Sequence, residues 1–286
     1  MENVQRTVYG AYIQTAKMLG QPIIYPEYTT LNESLGILNN YNYGTNTNPI
    51  LQYAVFGNGG ATFQQGAGGI EEPVPIQHLA TDANLYNMLP LVLRTLDNDL
   101  TQEEMSSYRL KKIITINGVQ YIAYYGLVLN LSNLAINMYN VTNNNGTQIT
   151  QLFTPNINNL NPQPQELTSL SINSVTGDYV NVSALVQLIF NQQQVSDFIN
   201  ACNILYGSQY SAIISEIGIC SGFDVPNTIS INGNDTSYTE AAGVQINAFV
   251  NTFYVMYYSQ NGLNVTYNVG ASEPLMLLSP VNSASN

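Results

Sequence analysis

The stretch from Val180 to Phe190, VNVSALVQLIF, is the clearest indication of fold class in this chain. Apolar side chains recur at every second position, and Asn181, Ser183 and Gln187 lie between them. This period of two is typical of a β-strand that buries one face. Further strands are predicted in the same half of the chain, over Ala212–Cys220, Ile229–Ile231 and Leu263–Val269 after the turn at Asn261-Gly262.

One helix and one ambiguous segment interrupt this β-rich half. The helix is predicted to follow Asn191, which can cap it with Gln194 at the N3 position, and Gly207 is placed where a helix ends. The segment Val244–Tyr258 fits a strand, but it also fits a segment that begins as a helix. A turn is expected at Val175–Asp178, before the first strand.

The N-terminal half predicts short helices and one hairpin. Helices are expected after Thr7, over Thr81–Leu96, and from Thr101 to the basic pair Lys111-Lys112 that favours a helix C-terminus. The alternating segments on either side of Asn117-Gly118 predict a β-hairpin, because Asn-Gly accepts the positive φ angles of a type I′ turn.

Two other stretches are predicted to be loops. The first, Asn39–Asn48, is rich in Asn. The second, Gly57–Gly69, is rich in Gly, but no helix carrying a Lys follows it, and it is therefore not expected to bind phosphate.

These patterns together predict an α+β, β-rich fold. Residues 1–140 are expected to form a mixed region of short helices and a β-hairpin. Residues 141–166, rich in Pro and Asn, are expected to form a linker. Residues 167–286 are expected to form an antiparallel, β-sandwich-like domain.

Charge is scarce and unevenly distributed. Charged residues make up 8% of the 286 residues, and the net charge is −12. An average soluble domain has about 25% charged residues. All six cations precede residue 113, whereas acids continue to Glu273. Such a chain repels phosphate backbones, and we expect no nucleic-acid binding. A weakly charged chain with 21 Tyr is typical of stable protein–protein contacts.

The sequence contains no recognisable catalytic pattern. His78 is the only histidine, and no G-x-S-x-G motif supplies a nucleophile for it, so we expect it to be a structural or surface residue. The adjacent acids Glu103-Glu104 are explained by the N-terminus of the predicted helix that Thr101 caps. The pair Glu71-Glu72 matches no known site. We therefore predict that the chain is not an enzyme, with no catalytic residues.

Metal, cofactor and membrane sites are not predicted either. Two cysteines cannot form a four-ligand zinc site, and we expect Cys202 and Cys220 to be free and buried. No calcium-loop pattern occurs. The sequence has neither an apolar run long enough to cross a bilayer nor an N-terminal secretory signal.

Four segments resemble virion proteins of tailed bacteriophages. Ile213–Gly222, IISEIGICSG, is similar to the ISEIGL strand of tail-fibre, collar and tail-associated proteins. Asn268–Leu278, NVGASEPLMLL, is similar to the ending of virion proteins of contractile-tailed phages. The opening, Gln5–Glu33, and Tyr108–Tyr125 resemble the same group. The resemblance implies a structural role without catalysis.

We therefore predict a structural subunit of a tailed-phage virion, assembled in the host cytoplasm and placed in the head-to-tail neck, or connector and collar. Its expected partners are copies of itself in a ring and other virion proteins, namely portal or connector, tail and fibre proteins. If the ring surrounds the DNA channel, its acidic inner wall would not bind the DNA that passes through it. The alternatives are a tail, baseplate or fibre-attachment subunit, a secreted carbohydrate-binding module or adhesin, and a hydrolase built on scattered carboxylates.

Overall fold

The computed structural model describes residues 3–38, 41–44, 48–66, 69–144, 147–162, 178–231, 234–259 and 262–274. The strands in these residues are β1 (Asn3–Arg6), β2 (Ile50–Gly57), β3 (Ala61–Gln65), β4 (Glu71–Pro75), β5 (Met88–Leu89), β6 (Val92–Thr95), β7 (Tyr108–Ile116), β8 (Val119–Val128), β9 (Asn137–Asn144), β10 (Thr147–Leu152), β11 (Tyr179–Phe190), β12 (Ile213–Ile231), β13 (Asn234–Val255) and β14 (Leu263–Pro274). The helices are α1 (Val8–Leu19), α2 (Leu31–Leu35), α3 (Gln102–Met105), α4 (Ile157–Leu160) and α5 (Gln192–Tyr206), with 3₁₀ turns at Gln209–Ser211 and Met256–Tyr258. None of these helices has both the length and the apolar character needed to cross a bilayer.

The chain divides into two compact units. The first contains residues 1–130 and 188–265, and the second contains residues 131–187 and 266–286. The first unit holds a sheet with the strand order β1-β13-β12-β2-β8-β6, to which β5 adds on β2 and β7 on β8, and a separate pair, β3–β4. The second holds a sheet with the order β10-β9-β11-β14. The predicted β-rich fold class is confirmed, with several antiparallel sheets and few short helices.

The long strands β12 and β13 form the centre of the first unit. They pair antiparallel over their whole length, and their register shifts at three points, the first between Ile214 and Glu216. Such bulges bend a long two-stranded ribbon and redirect side chains. The segment from Glu216 to Gly222 also pairs with β2, so it lies between two neighbouring strands. The ambiguous segment Val244–Tyr258 is strand as far as Val255.

The core of the first unit is apolar and aromatic. Phe249 of β13 and Val55 of β2 are almost fully buried, as are Leu93 of β6 and Leu110 of β7. Leu31 of α2 joins this core. Each of these side chains contributes roughly 1.5–3 kcal/mol by leaving water.

Three local predictions are confirmed. Thr7 caps α1 by accepting the N–H of Gly10, and α5 begins with a capping box of Asn191 and Gln194. The turn between β7 and β8 is at Asn117-Gly118, where both residues have positive φ. In each case a short sequence fixes the local backbone, so the signal is readable without the rest of the fold.

Two helix predictions are wrong. Thr81–Leu96 contains no helix, because β5 and β6 occupy its second half and β6 pairs with β8. A strand buried on both faces is an uninterrupted apolar run, and such a run also fits a helical period. The helix that follows Thr101 ends at Met105, and Lys111-Lys112 lie within β7.

Other predicted loops are partly ordered as strands. The stretch 141–166, predicted as a linker, contains the end of β9, all of β10 and α4. The Gly-rich stretch Gly57–Gly69 contains β3. Three of the predicted turns and loops lie partly outside the described residues: the turn at Val175–Asp178, the Asn261-Gly262 turn, and the loop Asn39–Asn48.

Candidate functional site

Glu216, in the middle of IISEIGICSG, is a fully buried acid at the centre of the main sheet. Its relative exposure is 0%, and it pairs with Gly57 on β2 and Asn251 on β13. A buried carboxylate is costly unless hydrogen bonds replace its water. The surroundings of Glu216 supply them.

Three backbone N–H donors and the ring of His78 surround the carboxylate. Oε1 accepts the backbone N–H of Gly59 at 3.0 Å and that of Asn87 at 2.9 Å. Oε2 accepts the backbone N–H of Tyr86 at 3.0 Å and lies 2.8 Å from Nε2 of His78. Hydrogen bonds to an ionised group are worth more than neutral ones, roughly 1.5–3 kcal/mol each. Glu216 therefore ties together two loops, around residues 59 and 86, that are distant in the sequence.

His78 extends this contact into an Asp82–His78–Glu216 network. Its Nδ1 lies 3.1 Å from Oδ2 of Asp82. Its ring is stacked between those of Tyr86 and Phe249, with centroids 4.1 and 3.8 Å away. The side chain of His78 is fully buried. The structure thus makes the only histidine a buried cross-link.

The network links the segment of His78 and Asp82 to Glu216 on β12. The two carboxylates approach opposite nitrogens of the His78 ring, so they do not converge on one point where an ion could bind. Among the described residues, no group of three or more His, Cys, Asp or Glu side chains could hold a metal. A hydrolytic triad would place a hydroxyl or thiol where Glu216 contacts the ring.

The Gly-rich segment at 57–60 closes over this carboxylate. A Cβ on Gly57 or Gly59 would meet Oε1 of Glu216, and a Cβ on Gly60 would lie 2.6 Å from the carbonyl oxygen of Ser215. The segment is therefore close-packed against an internal acid. Sequence analysis missed this role because Gly59 and Glu216 are 157 residues apart.

Asn87 connects the network to a small surface pocket. Its side-chain amide donates to Oδ1 of Asn58 at 2.5 Å and to the hydroxyl of Tyr206 at 3.0 Å. Both acceptors line a pocket of about 240 Å³. We call it the Phe63 pocket, and its lining residues are Asn58, Ala61, Phe63, Tyr206, Ser211, Ile213, Ser215 and Phe253.

A second buried polar cluster surrounds Lys111 of β7. Its ammonium lies 3.0 Å from Oδ2 of Asp99 and over the rings of Tyr124 and Tyr238. Glu240 accepts the backbone N–H of Lys111 and the hydroxyl of Tyr238. Burial nevertheless raises the pKa of Glu240.

The remaining predicted residues lie apart from these sites. Cys202 and Cys220 are free and buried, as predicted, and burial raises the pKa of the Cys202 thiol to about 12. Glu104 forms the predicted capping box with Thr101, whose hydrogen bonds hold the pKa of Glu104 below its usual value. The pair Glu71-Glu72 is exposed on β4.

Comparison with known proteins gives a family and no function. No curated protein matches the chain, and no solved structure matches it. A family model matches residues 1–284, and its description is a family of unknown function, DUF7208. The chain therefore belongs to the DUF7208 family.

Proposed function

We propose that the chain is a structural subunit of a tailed-phage virion, placed in the head-to-tail neck and acting without catalysis through ring-type contacts. One observation carries the proposal: the surface keeps acids and large apolar side chains, while half of the cations form ion pairs in which the cation is at most 22% exposed. The proposed partners are further copies of the chain and the portal, connector or tail proteins next to them.

The paired cations are Arg94, Arg109 and Lys111. Arg94 lies 2.8 Å from Asp197, Arg109 lies 3.0 Å from Asp224, and Lys111 contacts Asp99. The side chains of all three cations are at most 22% exposed. Exposed acids remain on the surface, including Glu27, Glu71, Glu72, Asp97, Glu103, Asp235 and Glu273. An acidic surface of this kind suits the wall of a DNA conduit, because it does not hold phosphates.

The sheet of the second unit exposes apolar side chains. Met138 of β9 and Val182 of β11 lie directly opposite each other, and each is 38% exposed. Leu185 of β11 and Leu152 of β10 are more exposed still, at 57% and 64%. The register places Leu152 opposite Tyr139, on the face away from Met138 and Val182, so this sheet exposes apolar side chains on both of its faces. Covering such side chains in an assembly contributes roughly 25 cal/mol per Å².

The resemblance to phage proteins supports the same class of function. The ISEIG segment, similar to a strand of tail-fibre and collar proteins, is in this chain the part of β12 that carries Glu216. A buried, hydrogen-bonded acid at the centre of a sheet is a rigid support for loops that contact neighbours.

Cryo-electron microscopy of the assembled particle tests the position. We expect density for several copies of the chain, arranged as a ring between the portal and the tail tube. Density for the chain only at the distal end of the tail would contradict the neck assignment.

The ISEIG resemblance also favours a second candidate, a tail, baseplate or fibre-attachment subunit. Immunogold labelling of intact particles separates the two proposals. Gold along the tail or at the baseplate supports the second, whereas gold confined to the head–tail joint supports the neck.

A further inference from the structure

We infer that the Phe63 pocket binds a single neutral saccharide residue. This inference is independent of the assembly role, because it concerns a small-molecule site in the first unit. It rests on the size of the pocket, on its aromatic wall, on hydrogen-bond donors that the fold leaves available, and on the absence of charge in its lining.

The pocket has room for one sugar ring next to an aromatic wall. Its volume of about 240 Å³ is below the range of roughly 300–1,000 Å³ that drug-sized ligands occupy. The rings of Phe63 and Phe253 meet edge to face, with centroids 5.9 Å apart, and Phe63 is 52% exposed. An accessible aromatic face of this kind packs against the apolar C–H face of a sugar.

The pocket also presents hydrogen-bond donors. Asn87 donates to Oδ1 of Asn58 and to the oxygen of Tyr206. Because both atoms act as acceptors in these contacts, the amide hydrogens of Asn58 and the hydroxyl hydrogen of Tyr206 can bond to a ligand. The hydroxyl of Ser211 adds a third donor to the lining.

The uncharged lining and its hydrogen-bond donors together determine which chemical class of ligand fits the pocket. None of the eight lining residues is Asp, Glu, Lys or Arg, so an anionic or cationic ligand would find no counter-charge. A purely aliphatic side chain from another protein would cover the donors of Asn58 and Tyr206 without replacing their water, which is unfavourable. A neutral sugar has both an apolar face and acceptor oxygens.

The fold holds these donors in place before any ligand arrives. Asn87 is fixed by its backbone N–H, which Glu216 accepts at 2.9 Å. The buried network therefore fixes the positions of Asn58 and Tyr206 through one residue. A preformed site loses less conformational freedom on binding, which favours even a small ligand.

Saturation-transfer-difference NMR on the full chain tests the inference. The probes are D-glucose, D-galactose and N-acetyl-D-glucosamine, with D-glucuronate as the anionic comparison and benzyl alcohol as the apolar one. We expect transfer to at least one neutral sugar, with a Kd on the order of 1 mM. Phe63→Ala and Tyr206→Phe should each weaken binding about threefold to tenfold. Tyr41 is not a lining residue and its ring packs against Tyr43 and Phe223, so Tyr41→Phe should leave binding unchanged.

Three results would overturn the inference. The first is no transfer to any of the three neutral sugars. The second is transfer that both pocket variants leave unchanged. The third is tighter binding of D-glucuronate or benzyl alcohol than of every neutral sugar.

Discussion

Replacing Glu216 tests whether the buried network supports the main sheet. Glu216→Ala removes the acceptor of three backbone N–H groups and the polar partner of the His78 ring. Buried donors without a partner cost roughly 1–3 kcal/mol each, and breaking a buried charged contact costs roughly 3–5 kcal/mol. Because these costs are not additive within one network, we expect a total loss of about 3–5 kcal/mol.

Glu216→Gln separates the loss of charge from the loss of shape. The amide keeps Oε1 as an acceptor for Gly59 and Asn87, but it places an NH₂ group against the other two donors. His78 can adapt by accepting at Nε2 while Nδ1–H donates to Asp82. Only the N–H of Tyr86 then lacks an acceptor, and the expected loss is about 1–3 kcal/mol.

Urea denaturation followed by circular dichroism measures both losses, as shifts of the midpoint at constant slope. Glu27→Gln is the matched control, because Glu27 is exposed, and its effect should stay within about 0.5 kcal/mol. A midpoint for Glu216→Ala within that same margin would refute the reasoning. A Gln variant as unstable as the Ala variant would contradict the hydrogen bonds that Oε1 is described as accepting from Gly59 and Asn87.

Three further predictions follow from the described contacts. Gly60→Ala should unfold at lower urea than the wild type, because its Cβ would meet the Ser215 carbonyl, whereas Gly44→Ala, with open space around its Cβ, should unfold near the wild-type midpoint. Burial raises the pKa of Glu33, but its hydrogen bonds to residues 28–30 lower it more, so the pKa is lowered overall and the ionised side chain stabilises the fold above its ordinary pKa. The difference in unfolding free energy between the wild type and Glu33→Gln should therefore be present at pH 7 and should vanish as the pH falls through the lowered pKa. Because copies of a chain with a net charge of −12 repel one another, light scattering should show more self-association in 0.5 M than in 0.05 M NaCl, and the opposite trend would argue for contacts between unlike charges.

The features that could be predicted from sequence are those that depend on neighbours along the chain. Thr7, Asn191 and the Asn117-Gly118 pair act within a few residues, and each forms the predicted cap or turn. The helix predicted over Thr81–Leu96 was wrong because part of this segment is β6, which pairs with β8 some 30 residues further along the chain. Periodicity does not contain that information.

The candidate site could not be predicted for the same reason. His78 and Glu216 are 138 residues apart, and they meet because the His78 ring stacks on Phe249 of β13, the strand that pairs with β12. A lone histidine and a lone acid in a strand give no signal of a shared contact. The scarcity of charge, in contrast, could be seen directly in the composition. The fold adds that three of the six cations form ion pairs with acids.

The proposal that this chain is a virion subunit is tested most directly by quantitative mass spectrometry of purified phage particles. We predict that the chain co-purifies with the portal, capsid and tail proteins, in a fixed ratio of several copies per portal ring, through a density gradient. Recovery of the chain only in the fractions that contain no particles would contradict the proposal.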